Sequence, residues 1–149
     1  MSADGWTRVG AYAIALDEGG RILLCRISPS IRPGEVWTLP GGGVDFGEPP
    51  ATAVLRELTE ESGYTGAIIE LADVSDHLFP GPIEGVEGPM HAIRIVYRVR
   101  ITGGDLRDEP DGSTDTCAWF SPDEAARLHL GELASRAVRA VRSGRSRRG

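Results

Sequence analysis

The sequence predicts an α/β sandwich, and three observations lead there. The chain has 149 residues and 40% hydrophobic content, enough for one domain with a sizeable core. Short apolar runs of strand length are separated by turn residues. One strongly amphipathic helical segment lies in the middle, and two more close the chain. A single domain is therefore expected over residues 1–142. Residues 143–149 form a basic tail without a core-forming residue, expected to be mobile.

Residues 9–16 (VGAYAIAL) are apolar on both alternating faces, which suits a strand covered on both sides. Asp17, Glu18, Gly19 and Gly20 make a turn, and residues 21–27 (RILLCRI) read as a returning strand, so a hairpin is expected. Residues 28–35 contain two prolines and a glycine and read as a loop, after which Trp37 to Pro40 lead into Gly41, Gly42 and Gly43. A helix is expected from near Glu48 to Gly63. Pro49 and Pro50 suit its first turn, where amides have no helical partner, and Gly63 is a natural cap. Strands follow over residues 68–79 and 91–101, separated by a Gly/Pro-rich loop at 80–89. Beyond the turn at Gly103 and Gly104 come an acidic stretch and a short strand at 117–120. Ser121 is placed to cap a helix, with Pro122 at its first position and Glu124 at the capping-box position. A final helix covers residues 132–142.

Charge and composition exclude several classes. Residues 1–126 carry 9 Arg against 21 Asp and Glu, a net −12, whereas residues 127–149 carry 7 Arg against Glu132, a net +6. An acidic body argues against nucleic acid as the main partner, because phosphate contacts need clustered cations. A small polyanion is compatible only where metal mediates. No apolar run approaches the length of a membrane span, and the first ten residues lack the basic start and apolar core of a secretory signal. Cys25 and Cys117 lie in apolar stretches without metal-ligand spacing and read as buried free thiols in a reducing cytoplasm. Oligomeric state is left open between monomer and homodimer.

The chemistry concentrates in residues 42–64, GGVDFGEPPATAVLRELTEESGY. At about 100° per residue, Ala51, Val54, Leu55 and Leu58 form one apolar stripe. Glu57, Glu60 and Glu61, at i, i+3 and i+4, lie on a different side, clear of the core. Three like charges so close repel one another, and a hard cation such as Mg²⁺ or Mn²⁺ turns that repulsion into coordination. The preceding glycines allow backbone to approach a ligand without a Cβ in the way.

The spacing of Gly42, Glu48, Arg56, Glu57, Leu58, Glu60, Glu61 and Gly63 resembles the Nudix box, G-x5-E-x7-R-E-U-x-E-E-x-G-U, with U a bulky apolar residue. Every fixed letter is present, and the one departure is aromatic Tyr64 at the last U. The resemblance implies a sharper fold, a Nudix-type α/β/α sandwich with a mixed β-sheet between helices. It also implies an activity: metal-assisted attack of water on the diphosphate linkage of a nucleoside diphosphate derivative. By this resemblance Glu57, Glu60, Arg56 and Glu48 form the catalytic set. Glu57 acts as or assists the general base, while Arg56 and Glu48 pair and orient the box. Glu57, Glu60, Glu61 and the Gly41 carbonyl are the expected ligands of Mg²⁺, or of Mn²⁺. Many such proteins add an acidic residue from a late loop, for which Glu109 and Asp115 are chosen from Asp108, Glu109, Asp111 and Asp115.

For substrate phosphate beyond the metal's reach, Arg26, Arg94 and Arg98 are the candidates, all on strand-like segments. Trp37, Phe46, Phe79 and Tyr97 offer stacking surfaces or core. A compact single domain looks like the MutT-type members acting on nucleoside triphosphates, including oxidised ones. The placement of Pro80 beyond the box resembles members that cleave ADP-ribose, so ADP-ribose or a nucleotide sugar is the alternative. A nucleotide sensor without catalysis is a further alternative, opposed by the intact box.

Overall fold

A computed structural model describes residues 5–81 and 88–148, with side chains described through Gly144. The order of elements is β1 (Trp6–Ala15), β2 (Ile22–Ile27), β3 (Trp37–Thr38), β4 (Gly41–Gly43), α1 (Pro50–Ser62), β5 (Tyr64–Phe79), β6 (Met90–Gly104), β7 (Thr114–Phe120), α2 (Pro122–Ala126) and α3 (Glu132–Arg148). A mixed four-stranded sheet runs β4-β1-β6-β5 and a three-stranded sheet runs β3-β2-β7. In the larger sheet β1 is parallel to β6, and β4 and β5 are antiparallel to their neighbours.

The pattern of burial explains the layers. Ala11, Ala13 and Ala15 of β1 are fully buried and pack with Leu23 and Cys25 of β2, Val99 of β6 and Ala53, Val54 and Leu58 of α1. The alternate residues Tyr12 and Ile14 pack on the opposite side, with Val96 of β6, Ile22 and Leu24 of β2, and Leu133, Ala134 and Val138 of α3. Alternation along each strand thus serves two cores, one beneath α1 and one beneath α3. Burying each such aliphatic side chain stabilises the fold by roughly 1.5–3 kcal/mol.

The helix boundaries agree with the local chemistry. Gly63 caps α1 with φ 86° and its amide donates to the Thr59 carbonyl. Ser121 caps α2 through a reciprocal capping box with Glu124. α3 runs on through Arg148, past the boundary at 142 expected from sequence. Tyr64, the aromatic departure in the box, packs against Trp119 at 5.9 Å between ring centroids, and its hydroxyl accepts the indole N–H at 3.0 Å.

Three expectations are corrected. Residues 9–16 and 21–27 do not form an extended hairpin: only the Leu16–Ile22 bridge and the Asp17 turn join them. Both long edges of β1 are taken, by β4 and β6, so β2 pairs instead with β3 and β7. Cys25 and Cys117 are not free thiols. They face each other across β2 and β7 and form a disulfide, which a sequence separation of 92 conceals.

The third correction concerns Glu61, which was expected clear of the core and is only 2% exposed. α1 is packed on a second side as well, because β4 and β7 flank the row formed by Ala53, Glu57 and Glu61. Most of the 80–89 loop, residues 82–87, lies outside the described residues, as do residues 1–4. Among the described residues no helix is long and apolar enough to cross a membrane.

Candidate active site

α1 presents its acidic residues along β4, and each of the three strand glycines meets a different group. The Gly41 amide donates to Glu61 Oε1 at 2.7 Å. A Cβ on Gly42 would stand 2.9 Å from Glu57 Oε1, and one on Gly43 would stand 3.1 Å from Arg8 Nη2. Gly41 itself has φ 144° and sits directly over Tyr12, so a side chain there would meet β1 backbone. Close approach is therefore what these glycines provide.

The two ends of α1 differ in charge compensation. At the N-terminal end Arg56 holds Glu48 bidentately, Nε to Oε2 at 2.8 Å and Nη2 to Oε1 at 2.9 Å. The Asp45 amide also donates to Glu48 at 3.1 Å. Arg56 above all, helped by that amide, holds the Glu48 carboxyl down to about 2. The remaining Arg56 nitrogen, Nη1, reaches Glu57 at 3.2 Å and Glu60 at 3.3 Å.

At the C-terminal end Glu61 is buried, and its second oxygen accepts from Thr114 Oγ1 of β7 at 3.0 Å. Burial pushes its carboxyl up to about 8, with Glu57 and Glu109 adding to the rise. Burial also raises Glu57 despite Arg56, and Glu60 adds to that shift. Glu109, half-buried in the loop before β7, is raised by burial and by the charge of Glu60.

The structure thus brings Glu57, Glu60, Glu61 and Glu109 into one field. Among the described residues no three acidic, His or Cys side chains already stand in the arrangement of a metal cage. Arg56 Nη1 lies between Glu57 and Glu60 instead. A divalent cation fits the donor set. All four side chains offer carboxylate oxygen, and among the described residues buried Glu61 has no cationic hydrogen-bond partner.

The other sequence candidates are placed differently. Arg26 and Asp115 bind each other bidentately, at 2.9 and 2.8 Å. Arg94 is 5% exposed and ties Glu132 of α3 to the sheet at 2.7 Å, while also donating to Ser75. Arg98 pairs with Glu70 at 2.9 Å. Trp37 is buried against Phe120, whereas Phe46 is fully exposed. A cavity of about 600 Å³ lies beneath α3, lined by Ile14, Leu16, Val96, Leu133, Ala137 and Val141. It opens on the side of the sheet opposite α1 and includes none of the four carboxylates.

Sequence reasoning missed Thr114, which holds Glu61, and Arg8 and Tyr12, which lie against the glycine strand from β1. The signal for Thr114 is its polar side chain at the start of the last strand, opposite the box. Arg8 is a lone cation entering an apolar strand.

A mixed sheet between helices, with an acidic helix docked on a glycine strand, defines a Nudix-type fold and site. The chain belongs to the Nudix family: the NUDIX domain model matches residues 6–141. A MutT NUDIX hydrolase from Burkholderia pseudomallei is similar in structure, with TM-score 0.71 and 32% identity, covering 89% of this chain and 96% of that one. A MutT-like protein of Streptomyces ambofaciens is 28% identical over 118 residues, 79% of this chain and 66% of the relative. An RNA pyrophosphohydrolase of Gluconobacter oxydans (strain 621H) is 33% identical over 120 residues, 66% of this chain and 64% of the relative. The chain spans 20%, 66% and 54% of the length of the first three curated relatives it matches.

Proposed function

We propose that this protein is a Mg²⁺-dependent pyrophosphohydrolase that cleaves a diphosphate linkage in a nucleoside diphosphate derivative, nucleoside triphosphates being favoured. The observation that carries the reading is the convergence of Glu57, Glu60, Glu61 and Glu109 beside the glycine strand, with Glu61 raised to about 8. Glu57, Glu60, Glu61 and the Gly41 carbonyl would hold the cation, with Mn²⁺ as a substitute. Bound there, a divalent ion supplies polarisation of the phosphate and a lowered pKa for its water.

The chain's own groups divide the remaining work. Glu57, half-buried and raised above an ordinary carboxylate, is a base able to take a proton from the attacking water at its free oxygen. Arg56, locked by Glu48, keeps the carboxylate row in register and limits its mutual repulsion. Thr114 and the Gly41 amide fix both oxygens of Glu61. Glu109 closes the cluster from the loop.

The preference for triphosphates rests on similarity to the MutT protein, matched over nearly all of its length. Incubation with Mg²⁺ and a panel of nucleoside triphosphates, oxidised deoxynucleotides, ADP-ribose and nucleotide sugars tests the proposal. Nucleoside monophosphate and pyrophosphate from a triphosphate are the expected products. Release only from ADP-ribose or a sugar nucleotide would reassign the substrate, and binding without any product would make the protein a sensor.

A further inference from the structure

The arginines that sequence nominates for the phosphate chain are all committed. Arg26 is held by Asp115, Arg94 by Glu132 and Ser75, and Arg98 by Glu70. Arg56 is shared among Glu48, Glu57 and Glu60. Arg8 is different. It is exposed on β1, and among the described residues it has no hydrogen bond or ion pair to protein.

Its position is nevertheless defined. β1 and β4 are paired with Gly10 opposite Gly43, and the Val44 amide donates to the Val9 carbonyl at 2.9 Å, which fixes the Arg8 backbone against the glycine strand. The guanidinium lies over Gly43, with Nη2 and Nε at 3.1 and 3.3 Å from where a Cβ would be. The missing side chain is what lets the planar group settle there. Gly42 and Gly41, the next residues of the same strand, meet Glu57 and Glu61. Gly43 turns toward Arg8 and Gly42 toward Glu57, on opposite faces of β4, and β4 is the edge strand of its sheet, about 10 Å long, so a polyphosphate crossing that edge would meet both the arginine and the carboxylate cluster. Tyr12, on the same face of β1 as Arg8, is raised by its burial and also feels the charges of Arg8, Glu61, Arg94 and Glu57.

We infer that Arg8 is a substrate-positioning residue that binds a phosphate of the substrate's polyphosphate chain lying outside the carboxylate cluster. This rests on the pyrophosphohydrolase reading and extends it: a free fork of guanidinium donors beside the glycine strand selects nucleoside polyphosphates over nucleotides with a neutral group at that end. The acidic body makes such a cation count, because the net −12 of residues 1–126 otherwise repels the substrate's outer phosphate.

The test measures binding and turnover separately. Calorimetry with Mg²⁺ would follow a nucleoside triphosphate carrying an imido α,β bridge, and the matching monophosphate, on wild type, Arg8→Gln and Arg8→Lys. Arg8→Gln is expected to weaken triphosphate binding by about tenfold or more and monophosphate binding by less than about twofold. Arg8→Lys should recover part of the loss, since it keeps the charge but not the fork. With the natural triphosphate, KM should rise while kcat changes less than about threefold. Arg8 is exposed, so thermal midpoints should be unchanged. Triphosphate affinity within about twofold of wild type, an equal loss for both ligands, or no triphosphate binding by wild type would each overturn the assignment. Wild type that binds in an Arg8-dependent way but releases no product would overturn hydrolysis and leave Arg8 standing. Turnover with Arg8-independent binding would do the reverse.

Discussion

Glu48 and Glu61 bracket α1, and the structure treats them in opposite ways. Glu48 is met by a bidentate arginine and a backbone amide, and its carboxyl is held down to about 2. Glu61 is buried with only neutral donors, Gly41 N–H and Thr114 Oγ1, and its carboxyl is pushed up to about 8. Glu48 carries its own counter-ion and, among the described residues, Glu61 lacks one. The first arrangement is a brace and the second is a place for a cation supplied from outside. Burial of a carboxylate beside two more is otherwise unfavourable, which is why such groups mark functional sites.

The largest effect should come from the carboxylate row that follows Arg56. Glu57→Gln and Glu60→Gln are each expected to lower kcat/KM more than about 100-fold, with unchanged circular dichroism. Activity within about threefold of wild type would remove these residues from the reaction. Next, Arg56→Leu releases Glu48, Glu57 and Glu60 together. It should cost about tenfold in activity and also lower the thermal midpoint; loss of neither would make the brace ornamental.

The pH dependence separates the two ends. Glu61 has a folded pKa raised above its ordinary 4.5 to about 8. Its contribution to stability is therefore full below about 4.5 and is lost as pH rises through about 8. Glu48 works the other way, with stability present above 4.5 and lost as pH falls through about 2. In chelator, thermal midpoints should fall from pH 5 to pH 9, and Mg²⁺ should restore more at pH 9 than at pH 5. A flat metal-free profile with no pH-dependent rescue would contradict the burial of Glu61. The smallest effect is expected for Thr114→Val. Losing one hydrogen bond to Glu61 should cost roughly 0.5–1.5 kcal/mol of stability, read by urea unfolding.

Much of this was legible in the sequence where the signal was local. Gly63 ended α1, Ser121 and Glu124 built their capping box, and Glu48 and Arg56 paired across their fixed spacing. What failed depended on partners distant in the chain. The turn at Asp17 pointed to a hairpin, yet β1 found better partners in β4 and β6, and β2 went to the other sheet. Cys25 and Cys117 showed no spacing that revealed their register. A helical wheel put Glu61 on the solvent side because it could not show β7 arriving with Thr114. Arginine alternation in β6 located cations but not the acids that consume them, so Arg94 and Arg98 looked available and Arg8 went unnoticed.

The role of α1 in holding a cation is tested most directly by Mn²⁺ binding, read by electron paramagnetic resonance at pH 8 on wild type, Glu57→Gln, Glu60→Gln and Glu48→Gln. Glu57→Gln and Glu60→Gln are each expected to weaken binding about tenfold or more, while Glu48→Gln stays within about threefold of wild type. Equal loss across all three variants, or no loss in Glu57→Gln and Glu60→Gln, would contradict the claim that the carboxylate row of α1 gathers the cation while Glu48 only braces it.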